Sequence, residues 1–375
     1  MEDATWSDSP QDAAEAARAE QGSVQARDAL RAAYERAAAQ CPDAVGTAFF
    51  SLAGQVVRIS TVGAQLGVCA TAAFAHLRID APRTPPRLSV DLWAECETGV
   101  GRPPTDPRLS LGVAWTRGTS AAASAPSGNL VRLQRLRHLD WLERASGSIV
   151  GWRFCGTLPT YEQIKPLPVL LPIWCADQDL QLIHAGMVVR NGAGALIAGR
   201  SRAGKSTTAL ACLHFGLQLD GDDTVALEER SDGELIGHSL FATAQLDPRH
   251  LADLPAYRAV ARLNDHPGEP RLFIPLAEVF PERLVRAAPI RALIFPVVEG
   301  ANRLAIRPLS SGDAFRRLAA SSLWQTIAPT RAEVSRLSRL AQRVPAYHLA
   351  LSDDLHSVVD AVDTVIARAT LPQPR

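Results

Sequence analysis

Apolar and polar positions follow one pattern in the first half of this chain and another from about residue 179 onward. Between Ala44 and Trp93 the apolar residues come in short strand-like runs, Val56-Val57-Arg58-Ile59-Ser60-Thr61-Val62 and Leu88-Ser89-Val90-Asp91-Leu92-Trp93, separated by Gly and Pro. Ahead of them, residues 1–40 are rich in Ala, Glu and Arg, and Ala29 to Tyr34 carries a helical period, which predicts a frayed tail followed by a helix. The Ala/Ser-rich stretch Gly118 to Gly128 has no apolar period and predicts an exposed loop. Arg132, Arg135, Arg137 and Arg144, interleaved with Leu and Trp141, suit either a surface for an acidic partner or an amphipathic helix.

From Asp179 strand, turn and helix signals follow one another quickly. The apolar run Leu180 to Val189 ends at the turn Asn191-Gly192, and Ala195 to Ala198 has the pattern of a short buried strand. Gly199 to Gly204 follows, then a helix from Lys205 to Phe215 closed by Gly216. Leu217 to Leu219 and Thr224 to Leu227 predict strands flanking an acidic turn, Ile290 to Val298 a central strand, and Gly312 to Ser321 and Asp354 to Ala367 helices. The expected organisation is a tail and helix over 1–40, an N-terminal α+β domain over 41–178 that helps select an acceptor, and an α/β P-loop domain over 179–375.

Composition narrows the function classes. Hydrophobic residues make up 47% and charged residues 21%, with 39 basic against 39 acidic side chains, so no overall field draws nucleic acid or an anionic membrane. The acidic N-terminus lacks a secretory pattern and no run of about eighteen apolar residues occurs, so a soluble, cytoplasmic chain is expected. Six scattered cysteines without a C-x-x-C pair predict buried free thiols rather than a metal or disulfide framework. Only Lys165 and Lys205 are lysines in a chain that otherwise uses arginine. One of the two falls inside a phosphate-binding motif, where a compact ammonium is wanted.

That motif, Gly199-Arg200-Ser201-Arg202-Ala203-Gly204-Lys205-Ser206-Thr207, fits G-x-x-x-x-G-K-[ST]. Its glycines permit a loop whose backbone N–H groups point inward around phosphate oxygens, and the following helix adds the positive end of its dipole. Lys205 is expected to bridge the β- and γ-phosphates and Ser206 to ligate Mg²⁺, with ATP or GTP as ligand. Some sixteen residues on, Leu219-Asp220-Gly221-Asp222-Asp223 supplies carboxylates of the kind a nucleotide site uses, one to hold the metal and one to take a proton from an attacking hydroxyl. Taken alone, these would be ordinary turn residues. Arg271, Arg283 and Arg286 could bring positive charge to a transition state, and Glu228-Glu229 could offer a further metal ligand, although a solvated surface position is the more ordinary reading of all five.

The order Ile183-His184-Ala185-Gly186, Gly192 to Ala198, the P-loop, Leu213 to Gly216 and Asp222-Asp223 resembles the HPr kinase/phosphorylase family, whose ATP-binding core is like that of phosphoenolpyruvate carboxykinase. The resemblance covers roughly Leu180 to Leu227. It implies Asp222 as catalytic base, Asp223 beside the metal, and His184 approaching the phosphates or acceptor. Two departures stand out: Arg202 occupies a position where the family usually has glycine, and no lysine is found near Gln245. Downstream, Ser239 to Leu246 is similar to divergent members associated with peptide-modifying gene clusters, including those for lasso peptides, where a peptide serine is the acceptor. The resemblance also allows a homo-oligomer. Expected, then, is an ATP- and Mg²⁺-dependent serine kinase acting on a peptide or protein. A narrow polar acceptor cleft would point instead to a small-molecule kinase, and ATP affinity without a phosphorylated product to a nucleotide-responsive binding protein.

Overall fold

The computed structural model describes residues 10–104, 113–116, 119–123, 128–264, 270–299, 303–323 and 330–370. Two compact units emerge, one of Met1–Thr47, Arg58–Gly67 and Arg87–Thr157, the other of Ala48–Val57, Val68–Pro86 and Leu158–Arg375. Residues 158–178, expected with the N-terminal region, thus belong to the second unit.

In the first unit, helix Pro10–Gln40 is longer than the expected tail and helix. Leu30, Ala33 and Ala37, spaced to share one helix face, are buried with Val62, Trp93, Trp141 and Trp152. Strand Leu88–Ala94 runs parallel to Ser148–Arg153, and His138–Glu143 and Leu130–Arg135 continue the sheet antiparallel. The Arg132 to Arg144 stretch is therefore a β-hairpin and not a helix. Arg132 lies over the Trp141 ring at 5.9 Å, an apolar seat for its charge. Within the predicted loop Gly118 to Gly128, Thr119–Ala123 forms a strand paired with Val113–Thr116; residues 118 and 124–127 lie outside the described residues. Cys96 and Cys155 are exposed, against the expectation of buried thiols, whereas Cys69, Cys175 and Cys212 are buried.

The second unit is a mixed α/β structure in three layers. Strand Ala193–Ala198 runs antiparallel to Ala185–Arg190 and parallel to Ala287–Val297, which in turn runs parallel to Ala346–Ala350. Its side chains alternate between two cores. Ala193, Ala195 and Ile197 pack with helices Lys205–His214 and Leu355–Thr370, while Leu196 and Ala198 pack with helices Ser311–Ser322 and Arg331–Arg343. Burial on both faces explains why this strand reads as an unbroken apolar run. The predicted elements from Lys205 onward recur with ends moved by a few residues, and the run Leu180 to Val189 splits into Gln181–Ile183 and Ala185–Arg190 around His184. Helix Arg331–Arg343 was not predicted, although Thr330 and Glu333 form a full capping box at its start. Among the described residues no helix is long and apolar enough to cross a membrane.

Strand Gln218–Gly221 pairs antiparallel with the far side of Ala185–Arg190. Two strands that both oppose the same middle strand are parallel to each other, so Ala193–Ala198 and Gln218–Gly221 end on one edge of the sheet, about 10 Å apart. The middle strand begins on that edge, immediately after His184. The phosphate loop, the acidic turn and His184 are brought together by this topology alone. Because Ile197 is fully buried in the strand that carries the loop, Ile197→Ala is expected to cost about 2–5 kcal/mol in urea unfolding.

Candidate nucleotide-binding site

The phosphate loop takes a shape that its sequence only partly favours. Gly199 and Gly204 have φ of 143° and 94°, and Arg202 has φ of 65°. Arg202 thus holds the left-handed conformation that favours glycine, at a strain of roughly 1–2 kcal/mol. This is the position where the resembled family usually has glycine. Gly204 caps helix Lys205–His214. A Cβ there would overlap Leu351 Cδ1, so Gly204 is required for both backbone and packing. Ser201 and Arg202 are exposed, while Ala203, Ser206 and Thr207 are half-buried. Thr208 N donates to Gly204 O at 2.9 Å as the first helical bond, leaving the N–H groups of residues 204–207 without a helical partner, while Ala203 N donates to Arg200 O at 3.3 Å within the loop.

Lys205 is buried, and its Nζ donates to Arg200 O at 3.2 Å. Burial lowers its pKa, opposed by the Asp223 and Asp222 charges. Asp222 is buried with one oxygen in contact: Gln245 N donates to Oδ2 at 3.3 Å, and Oδ1 has no protein partner. Burial pushes its carboxyl up to about 7, helped by the Asp223 charge and opposed by the Gln245 N–H, Ser206 and Lys205. The turn sits against Gly186, where a Cβ would come 2.7 Å from Asp222 O. Asp223 is only partly covered. Although burial works the other way, the charges of Lys165 and His184 hold its carboxyl below the ordinary carboxylate range. His184 Nδ1 lies 3.0 Å from Asp223 O and 3.1 Å from Asp223 Oδ1, so this histidine meets the second aspartate of the turn. Burial lowers the His184 pKa.

The loop and turn open on a small cleft of about 40 Å³ lined by Lys165, Ser206, Asp222, Asp223, Thr224 and Gln245 among others. Lys165 makes an ion pair with Asp223. Sequence reasoning noted its rarity and gave it no place; that rarity was the available signal. Gln245 was doubted because no lysine stands near it, yet its backbone N–H anchors Asp222.

Magnesium fits this donor set. Among the described residues no group of three or more His, Cys, Asp or Glu side chains could enclose a metal. A cation held by one or two protein oxygens and completed by phosphate and water is the arrangement magnesium favours. Ser206 and Asp223, which line the cleft beside the partnerless Asp222 Oδ1, offer such oxygens.

Other candidates take structural roles. Arg283 donates to Leu213 O at 2.9 Å and His214 O at 3.3 Å, capping the phosphate-loop helix at the end away from the loop. Arg286 donates to His76 O and Arg78 O. Glu229 is held by Arg339 and Arg343, and Glu228 by His238 and Arg230, so neither is a metal ligand. Arg271 alone of the three arginines lies within electrostatic reach of Lys205.

No family model and no curated protein matches the chain. Among solved structures it is similar to the Hpr(Ser) kinase/phosphatase from Coxiella burnetii, with 16% identity over 50% of this chain and 89% of that one and a TM-score of 0.31, a likeness that by itself assigns no activity.

The raised Asp222 pKa has a consequence for stability. Its ordinary value is 3.8 and its folded value about 7, so the folded chain holds this proton more tightly than the unfolded one. The stability it contributes is complete below about pH 4 and lost as pH rises through about 7. Asp222→Asn is expected to flatten this decline in urea unfolding measured across that range. A constant offset between the two proteins at every pH would contradict a buried, charge-strained carboxyl.

Proposed function

We infer that this chain binds ATP with Mg²⁺ at Gly199 to Thr207 and transfers the γ-phosphoryl group to a hydroxyl. The observation that supports this most strongly is the convergence, on one sheet edge, of a phosphate loop with a buried lysine and a buried aspartate whose free oxygen has no protein partner. The N–H groups of the loop and Lys205 bind and orient the phosphates. Ser206 and Asp223 would hold magnesium, which when bound supplies charge neutralisation to the phosphoryl oxygens. His184 keeps Asp223 turned toward the cleft. Asp222 accepts the proton of the acceptor hydroxyl as its oxygen bonds to the γ-phosphorus, and the bond to the β–γ bridging oxygen breaks with its electron pair leaving on ADP.

The acceptor we propose is a serine hydroxyl of a peptide or protein, with a precursor peptide of the lasso type as the specific expectation. A second acceptor class, a small hydroxyl compound, is favoured by the cleft itself, which is small, about 40 Å³, and carries Lys165, Ser206, Asp223 and Gln245 on its lining.

The test is phosphoryl transfer from γ-labelled ATP with Mg²⁺ to peptides, proteins and small alcohols, using the unsubstituted chain, Lys205→Ala and Asp222→Asn. Acid-stable label on a serine, reduced about 100-fold or more in both variants, is expected. The rate should rise with pH through about 7, because Asp222 must be ionised to accept a proton. Label on a small alcohol would select the second class. Tight ATP binding with no product on any acceptor would leave a nucleotide-responsive binding protein.

A further inference from the structure

The chain places its second lysine in the same cleft that Ser206 of the phosphate loop lines. Lys165 follows the short helix Thr160–Ile164, and this segment is anchored by one bond from Thr243 and closed by two bonds of its own. Thr243 Oγ1 donates to Ile164 O at 2.7 Å, Lys165 N donates to Tyr161 O at 3.1 Å, and Gln163 Nε2 donates to Leu158 O at 2.6 Å. A long, flexible side chain on a fixed backbone reaches a restricted volume, and here its ammonium pairs with Asp223 in the cleft that Ser206 and Asp222 also line. Lys205 and His184 both feel the Lys165 charge.

Lys165 and Lys205 both act on Asp223, and Asp222 beside it is buried with one oxygen unpartnered. Two cations held near one carboxylate repel each other, and an entering phosphate group relieves that repulsion. The loop and Lys205 already accommodate the phosphates from the nucleotide side. Lys165 lines the cleft that Ser206 of the loop also lines and is paired with Asp223 of the acidic turn, where the phosphoryl group would arrive on its way to an acceptor.

We propose that Lys165 is a second phosphate-binding cation that contacts the terminal phosphoryl group and makes the site prefer triphosphate over diphosphate. This rests on the nucleotide-binding role inferred for the loop. It differs from a role exerted only through Asp223, because a direct contact acts on the γ-phosphate whether or not a metal is present.

The experiment is calorimetric titration of the full chain with a non-hydrolysable ATP analogue and with ADP, each with Mg²⁺ and with EDTA, for the unsubstituted chain, Lys165→Met, Lys165→Arg and Lys205→Met. A charge-assisted contact of ordinary strength predicts that Lys165→Met weakens the ATP analogue about 10- to 100-fold, with or without Mg²⁺, while ADP changes less than about twofold. Lys165→Arg should retain much of the difference, and Lys205→Met should weaken both nucleotides. Equal losses for the two nucleotides, no loss for either, or a loss seen only with Mg²⁺ would overturn the proposal while leaving the nucleotide site intact. Failure of the unsubstituted chain to bind either nucleotide would overturn both.

Discussion

The site rests on the direction of one strand. Ala185–Arg190 runs against both of its neighbours, so the ends of those neighbours and its own beginning share an edge. No side-chain contact is needed to bring phosphate loop, acidic turn and His184 within reach of one another; the hydrogen-bond pattern of the sheet does it. What the side chains then decide is how closely the parts approach. Gly186 admits the acidic turn against the strand, and Gly204 lets Leu351 close over the start of the helix. Both are positions where one added carbon would push a functional group away from the edge.

Burial divides the two aspartates of the turn into different chemical species. Asp222 lies out of solvent with an oxygen that no protein group satisfies, and its carboxyl is reluctant to ionise. Asp223 is partly open and flanked by cationic groups, so it stays ionised well into acid. Adjacent residues of the same type thus divide into a carboxyl that gives up its proton only near neutrality and one that stays ionised into acid. Sequence shows two aspartates in a row; only their surroundings distinguish them.

Much of the second unit was legible because its signals are local. Gly199 to Gly204 followed by an amphipathic run ending at Gly216 states a strand, a loop and a helix in order, and the structure keeps that order. Helix Arg331–Arg343 is announced just as locally, by the capping box of Thr330 and Glu333. The long helix Pro10–Gln40 was underestimated for another reason, since much of its length carries no apolar stripe to announce it. Lys165 could not be placed by pattern at all. It lies far along the chain from the turn it meets, just after a five-residue helix whose last carbonyl is held by Thr243. Arg283 shows the converse: an arginine close to the core in sequence settles on the rear of the phosphate-loop helix because unpaired carbonyls are found there.

The scarcity of lysine carries a practical consequence. Lys165 and Lys205 are the only ε-amines in the chain, and both belong to the same small region of the protein. Reagents that acylate primary amines, which on most proteins scatter over the surface, have here no lysine target elsewhere. Covalent labelling of lysine therefore becomes a local reporter, with each modified side chain reading the occupancy of a single cleft and the rest of the molecule, the chain's own terminal amine apart, remaining silent.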